Sequence, residues 1–266
     1  MDTEKKKLLG MLFSVLDHHV YGARIRKIAG SMHLSLMAIQ EEFVRYNLGT
    51  HDAIGNEVYK SIANRFVLHI HNLIDGSWHQ DRQAVITKFV SEVNAKNVID
   101  VGFGVPTRYV EDLVLQSDDM EVTFLDMYDS AFAFSEHLLD FWSSNWRDKI
   151  FFKKINMDLD NICGDYDLYI FQDSIEHTKN PAKVLRETVM GAANNARFII
   201  SLPIGPIFPR HYMEWLGDRD ARLWVEGCGL KIEKEQSVYT KPEVDLFAKQ
   251  IDPKYHDLYF LCSKQR

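Results

Sequence analysis

From Asn97 onward, short runs rich in strand-forming residues alternate with stretches of helical periodicity, and this alternation constrains the fold more than any other feature of the sequence. It is typical of a parallel sheet built from β-α-β units, because each parallel strand is reached by a crossover that is usually a helix. Seven strands are predicted, over residues 97–101, 121–125, 149–155, 166–171, 197–202, 230–239 and 258–263. The sequence therefore predicts an α/β fold.

The chain before this point has a different pattern. Up to about residue 90, apolar residues recur at helical spacing, and polar breaks such as Gly30-Ser31 and residues 75–77 separate the segments. We therefore predict a helical extension over residues 1–90 and an α/β domain over residues 91–266. The extension is expected either to cap the domain or to form the interface of a homodimer.

Composition excludes several classes of partner. The 266 residues are 46% hydrophobic with a formal net charge of -7, so the chain can bury a core but offers no basic face for nucleic acid. No stretch reaches the roughly 20 apolar residues that a membrane span needs. The apolar run over residues 8–16 follows three lysines but has the spacing of an amphipathic helix. We expect neither a nucleic-acid nor a membrane partner.

Cysteine and histidine spacing predicts no metal site. Cys163, Cys228 and Cys262 lie far apart, which fits neither a disulfide framework nor a cysteine-based zinc site and suits a reducing cytoplasm. The pairs His18-His19 and His69-Ile70-His71 are adjacent or two apart on predicted helices, so their side chains point to different faces. We therefore expect a cytoplasmic protein without a bound metal.

The first strand runs directly into the turn Gly102-Phe103-Gly104. Such a turn lets the backbone approach a nucleotide closely and directs free N–H groups of the next helix, predicted from about Thr107, at the ligand, although a plain tight connection has the same sequence. Asp126 ends the second strand at the offset where a carboxylate can accept both ribose hydroxyls. Together the two features predict an adenosine-type ligand, while Thr107 in place of a third glycine disfavours a tightly packed diphosphate.

With two further segments, these residues resemble the class I S-adenosylmethionine-dependent methyltransferases over about residues 97–263. The stretch 100–104 is similar to the family's first motif, and Asn156-Met157-Asp158 is similar to the segment whose acid receives the adenine amino group. Residues 166–181 resemble the fourth strand and its "EH…NP" continuation. The family's third glycine is replaced by Pro106, and residues 191–196 replace its usual Pro-Gly-Gly.

The resemblance implies a Rossmann-like fold: a seven-stranded, mostly parallel, doubly wound sheet with the last strand antiparallel and the N-terminal helices as an extension. It also implies S-adenosylmethionine as the cofactor, bound at the carboxyl ends of the strands. Asp100 and the two glycines would shape the methionine pocket, and Phe103 and Phe171 could face the sulfonium or simply pack in the core. The predicted cofactor-binding residues are Asp100, Gly102, Phe103, Gly104, Asp126, Met157, Asp158, Phe171 and Gln172.

Four residues are candidates for catalysis. Gln172 and Asp173 form the best-placed polar pair, at the end of the fourth strand, and His177 could act as a base or simply cap the next helix. His211 lies in a proline-containing loop after the fifth strand, with Tyr212 beside it, and loops at that edge of the sheet often carry function. His211 is the preferred contact for the acceptor.

The predicted function is methyl transfer from S-adenosylmethionine to a small-molecule acceptor by in-line displacement. A small acceptor is expected because the chain is acidic and a helical cap suits an enclosed pocket. One alternative uses the aminocarboxypropyl group of the same cofactor and releases methylthioadenosine. A second is a non-catalytic binding module, and a nicotinamide oxidoreductase is disfavoured by Thr107 and by the "EH…NP" stretch.

Overall fold

The computed structural model describes residues 3–48, 60–205, 211–241 and 255–265. Its centre is one seven-stranded sheet with the order β3-β2-β1-β4-β5-β7-β6. The strands are β1 (Asn97–Val101), β2 (Glu121–Asp126), β3 (Ile150–Lys154), β4 (Leu168–Gln172), β5 (Arg197–Ile204), β6 (Leu230–Tyr239) and β7 (His256–Lys264). The predicted strands are confirmed, each within two residues of its expected bounds.

The direction of the strands determines where a ligand can bind. Strands β1 to β5 pair in parallel, as their alternation with helices predicted, and β7 runs antiparallel to both β5 and β6, as the family resemblance implied for the last strand. Because β1 has β2 on one side and β4 on the other, the chain reverses its direction of winding between β1 and β4. Such a reversal opens a crevice at the carboxyl ends of the strands.

Helices cover both faces of this sheet and extend beyond it. They are α1 (Thr3–Asp17), α2 (Tyr21–Ser31), α3 (Leu36–Leu48), α4 (Ile62–His71), α5 (Trp78–Val93), α6 (Asp129–Trp142), α7 (Pro181–Gly191) and α8 (Asp218–Gly227). Capping residues set some of their ends. The Ser77 side chain accepts from the backbone of Gln80 at the start of α5, and Asn94 ends that helix in the left-handed region.

Three apolar cores hold the molecule together. Helices α7 and α8 pack on one face of the sheet, and α5 and α6 pack on the other. Helices α1 to α4 share a third core, which closes on Phe134 and Leu138 of α6. The domain boundary expected at residue 90 falls inside α5, whose apolar residues face the sheet. None of the described helices is both long enough and apolar enough to cross a membrane.

Candidate functional site

A cavity of about 690 Å³ opens at the carboxyl ends of β1, β2 and β4. Its floor is formed by the residues that follow these strands, and its other wall by side chains of α3, α4 and α5, which include Tyr46, Arg65, Trp78 and Arg82. Its size lies in the range that small-molecule sites usually have. The cavity therefore occupies the crevice that the strand order creates.

The glycine turn forms the part of the floor after β1. Gly102 and Gly104 have φ values of 68° and 66°, which glycine adopts without strain. A Cβ atom on Gly102 would lie 2.6 Å from the Cβ atom of Ser174, so no side chain fits there. The helical segment after the turn, which the sequence predicted from about Thr107, contains a π-helical turn, Val110–Val114. Bare backbone thus faces the cavity at this point.

Asp126 stands beside the turn with its carboxylate in the cavity wall. One oxygen accepts from the backbone of Gly104 at 3.3 Å, and the other accepts from the backbone of Tyr128 at 2.9 Å. The side chain is only 7% exposed, and this burial raises the pKa of Asp126 despite the opposing effect of Arg65. The carboxylate is thus fixed in orientation, and its two oxygens retain lone pairs that can accept further donors.

Arg65 is a wall residue that the sequence analysis did not identify. Its Nη2 atom lies 3.7 Å from Asp126 Oδ1, and its Nη1 atom donates to the carbonyl of Gly104 at 3.3 Å. The guanidinium is buried and contacts both predicted binding elements. The only signal in the sequence was a stripe at helical spacing, Arg65, Leu68 and Asn72, all of which line the cavity.

Two predicted cofactor-binding residues lie behind the wall instead of lining it. Asp100 accepts from the hydroxyl of Tyr109 at 2.8 Å, and its other oxygen has no hydrogen-bond partner in the described part of the chain. Burial raises the pKa of Asp100 to about 7. Phe171 is fully buried among core residues. The geometry therefore does not support the expected direct contact of either side chain with a ligand, whereas Phe103 lines the cavity with its ring packed on Phe124.

The loop after β3 and the end of β4 supply the remaining predicted binding residues. Met157, Asp158 and Gln172 all line the cavity. Asp158 is exposed, and its Oδ1 atom accepts from the backbone of Lys179 at 2.7 Å, which ties this loop to the turn after β4. The carboxylate of Asp158 and the flexible apolar side chain of Met157 thus lie next to each other at this end of the cavity.

Asp173, a catalytic candidate, is occupied by protein partners. It has a positive φ of 43°, its Oδ1 atom accepts from the Ser201 hydroxyl at 2.5 Å, and its Oδ2 atom forms an ion pair with Arg82. Arg82 also lies 3.0 Å from the buried carboxylate of Asp257 and donates to the hydroxyl of Tyr259 at 2.9 Å. Since both carboxylate oxygens are engaged, Asp173 is poorly placed to act as a general base.

The other catalytic candidates meet around Glu176. The rings of His177 and His211 contact each other edge to face, with centroids 4.9 Å apart. Glu176 is only 1% exposed, and burial raises its pKa to about 8. The backbone of Tyr212 donates to the carbonyl of Glu176 at 2.8 Å, while the Tyr212 side chain is exposed. The structure thus brings both predicted histidines together at one end of the cavity, beside a buried acid that the sequence analysis did not select.

The sequence and the structure were compared with those of known proteins. No family model matches the sequence, and no curated protein matches it. The structure of the cyclase SpnF has a TM-score of 0.58 at 11% identity, covering 72% of this chain and 83% of that one. The N-methyltransferase NodS from Bradyrhizobium japonicum WM9, in complex with S-adenosyl-L-homocysteine, has a TM-score of 0.57 at 11% identity, covering 79% and 100%.

A third similar structure is that of the mitomycin 7-O-methyltransferase MmcR. Its TM-score is 0.55 at 10% identity, covering 90% of this chain and 67% of that one. At such identities the similarity is one of fold, and the three proteins have different reactions in their names. The chain has the fold of the class I S-adenosylmethionine-dependent methyltransferases, which the motifs of its sequence predicted.

Proposed function

We propose that the cavity binds S-adenosylmethionine and that the protein transfers the methyl group of this cofactor to a small-molecule acceptor. The observation that carries the proposal is the position of the glycine turn and of Asp126 in one wall of the cavity, at the reversal of strand order. Similarity of fold to NodS and MmcR, both named as methyltransferases, supports it. Similarity to a cyclase means that the fold alone does not define the reaction.

Each part of the cofactor has a matching group in the wall. The carboxylate of Asp126 would accept the ribose hydroxyls, and Met157 and Asp158 would contact the adenine. The backbone of the glycine turn would hold the methionine portion. The guanidinium of Arg65, which contacts Gly104, would pair with the carboxylate of that portion, because a buried arginine is well suited to bind carboxylates.

The chemistry needs alignment more than covalent help. A lone pair of the acceptor attacks the methyl carbon, the carbon–sulfur bond breaks, and the electron pair stays on sulfur as S-adenosylhomocysteine leaves. An acceptor oxygen must also lose its proton, and we assign this to the end of the cavity that holds His177 and His211. Asp173 would act as a positioning residue through its ion pair with Arg82.

The helical extension would serve as a cap. Residues of α3 and α4 line the wall opposite the sheet, so a ligand would be shielded from water on that side. Water exclusion and alignment are the two requirements of an in-line displacement. A cavity of about 690 Å³ suits a cofactor with a small acceptor better than a macromolecule.

The binding test uses calorimetry with S-adenosylmethionine and S-adenosylhomocysteine on the wild type, on Asp126→Asn and on Asp129→Asn. Asp129 forms an exposed ion pair with Lys154 and does not line the cavity, so its substitution is a matched change of charge. Loss of charge-assisted hydrogen bonds of about 1.5–3 kcal/mol should weaken binding roughly 10- to 150-fold in Asp126→Asn alone. A wild type that binds neither ligand, or an Asp126→Asn protein that binds like wild type, would contradict the proposal.

The reaction test identifies the nucleoside formed when protein, cofactor and a set of small acceptors are incubated together. S-adenosylhomocysteine with a methylated acceptor is the expected product. Methylthioadenosine would show instead that the aminocarboxypropyl group is transferred. Tight binding with an unchanged cofactor across all acceptors would favour a non-catalytic module.

A further inference from the structure

We propose that Glu176, His177 and His211 bind a divalent transition-metal ion of the zinc type, and that this ion holds a hydroxyl oxygen of the acceptor. The proposal of a metal site rests only on these three residues and does not depend on the proposed methyl transfer. The role of the ion in catalysis rests on the proposed methyl transfer and adds to it a class of acceptor, small molecules that carry a hydroxyl group.

The first support is distance. One ligand atom from each of the three side chains can be chosen so that all three lie within 4.8 Å of one another. Ligand atoms around a metal at about 2.0–2.2 Å are separated by roughly 3–3.5 Å, so closure requires shifts on the order of 1 Å. Both histidine rings are partly exposed on the cavity side, where side-chain rotation can provide such shifts.

The second support is independent of the histidines and comes from Glu176. Its side chain is 1% exposed, it lines the cavity, and its Oε2 atom has no hydrogen-bond partner among the described residues. The Nε2 atom of His177 lies 3.9 Å from the other oxygen, which is too far for a hydrogen bond. A buried carboxyl oxygen without a partner is costly, and loss of the proton with coordination of a cation would remove that cost.

The backbone holds the two ligand-bearing segments together. Glu176 and His177 lie in a short turn of 3-10 helix, Ile175–His177, directly after β4, and His211 lies on the loop that follows β5. The hydrogen bond from the backbone of Tyr212 to the carbonyl of Glu176 joins the two segments next to the ligands. The expectation of no metal came from histidine pairs on single helices, and it did not consider ligands from two separate loops.

The donor set indicates the kind of metal. Two imidazoles and one carboxylate occur in catalytic zinc sites that leave a position for water or substrate. Imidazole favours first-row transition metals, whereas magnesium and calcium prefer oxygen ligands. The open position would face the cavity, because all three residues line it.

A metal at this position would explain how an acceptor oxygen is activated. A hydroxyl bound to such an ion loses its proton to solvent more readily, and the resulting oxygen anion can attack the methyl carbon. The carbon–sulfur bond breaks, and sulfur keeps the electron pair. The proposed metal ligands are also close in sequence to the glycine turn's contact. Ser174 packs against Gly102, and Glu176 and His177 follow Ser174 by two and three residues.

Cobalt is the probe for the test, since Co²⁺ replaces zinc-type ions and absorbs visible light according to its ligands. Full-length protein, first treated with a chelator, is titrated with Co²⁺ by calorimetry and absorbance, without nucleotide. The variants are Glu176→Gln, the double substitution His177→Ala with His211→Ala, and a matched double control, His18→Ala with His19→Ala. The control removes two neighbouring histidines that lie outside the cavity.

We expect a single Co²⁺ site per chain that Zn²⁺ displaces and Mg²⁺ does not. Each test variant should lose at least about 100-fold in Co²⁺ affinity, since even outer partners of metal ligands change affinity 10–100-fold. The histidine control should bind like wild type. A wild type without a Co²⁺ site, or test variants that bind Co²⁺ as tightly as wild type, would overturn the metal site.

Two further measurements separate the possible failures. Thermal unfolding shows whether each variant is folded, and the two test variants alter different ligands, so one folded variant is enough for a result. Calorimetry with S-adenosylmethionine on the same proteins tests the nucleotide site separately. Loss of Co²⁺ binding with intact nucleotide binding supports the metal site, whereas Co²⁺ binding by a wild type that does not bind nucleotide would overturn the proposed function alone.

Discussion

Replacing Arg82 with methionine removes the guanidinium that joins α5 to Asp173, which follows β4, and to Asp257 and Tyr259 of β7. Arg82 is largely buried and contacts the carboxylates of Asp173 and of the fully buried Asp257. Removing one member of a buried ion pair costs about 3–5 kcal/mol, because the remaining charge is left without compensation. The guanidinium also lies over the ring of Trp78, with its Cζ atom 4.2 Å from the ring centroid, and methionine removes this cation–π contact while keeping an apolar side chain. We expect the free energy of unfolding at neutral pH to fall by about 3–5 kcal/mol.

Urea unfolding of wild type, Arg82→Met and the double variant Arg82→Met with Asp257→Asn measures this cost. Burial already raises the pKa of Asp257 to about 6 against the opposing effect of Arg82, so loss of the arginine should raise it further. A carboxyl with a raised pKa destabilises the fold as the pH rises through that pKa, and the deficit of Arg82→Met should therefore shrink near pH 5. The double variant should recover part of the loss at neutral pH. A loss below about 1 kcal/mol, or no recovery in the double variant, would refute the reasoning.

Three other predictions follow from single positions. Gly102→Ala should reduce stability and abolish nucleotide binding, as measured by thermal unfolding and calorimetry, because the added Cβ would lie 2.6 Å from that of Ser174 at a positive φ. Because the pKa of Asp100 is raised to about 7, its ionisation should lower the free energy of unfolding of the wild type by about 1.4 kcal/mol per pH unit between about pH 4 and pH 7. Asp100→Asn should remove this contribution. Equal slopes of unfolding free energy against pH for the two proteins, measured by urea unfolding, would contradict this. Asn180→Ala should cost about 1 kcal/mol, because the Asn180 side chain accepts from the backbone of Lys183 at the start of α7, and an unchanged urea midpoint would contradict it.

The positions of the strands could be predicted because a buried parallel strand has a local sequence pattern, a short run of apolar residues. The exact ends of the strands were harder to predict because they depend on which residues of neighbouring strands pair. β4 begins at Leu168, two residues later than expected, and the side chain of Asp167 just before it accepts from the backbones of Lys96 and Asn97. β5 continues through Pro203, where the prediction ended it. Pairing with β4 stops at Ser201, so the missing N–H of the proline costs no bond on that side.

The same distinction holds for the cavity. Residues that directly follow strands, such as Asp126 and Asp158, could be placed at one edge of the sheet, because the ends of parallel strands meet there. The positions of Arg65 and Arg82 in the cavity wall could not be predicted, because the partners of these two residues depend on how the helices pack on the sheet. Arg82 lies on a stripe with Trp78 and Ile86 at helical spacing, and this pattern predicts a buried arginine without naming the carboxylate that it meets.

Affinity for S-adenosylmethionine should depend on pH through Asp126. Burial raises the pKa of Asp126, and donors such as ribose hydroxyls favour its ionised form, so the ligand binds the ionised carboxylate. Below the pKa of the free protein, the affinity should fall by up to about tenfold per pH unit. Asp100 titrates in both wild type and Asp126→Asn, and therefore only the difference between their curves, measured by calorimetry from acidic to neutral pH, reports on Asp126. Asp129→Asn should keep the wild-type slope. A wild-type affinity that rises on acidification, relative to Asp126→Asn, would mean that the ligand binds the protonated carboxyl and that Asp126 does not accept the ribose.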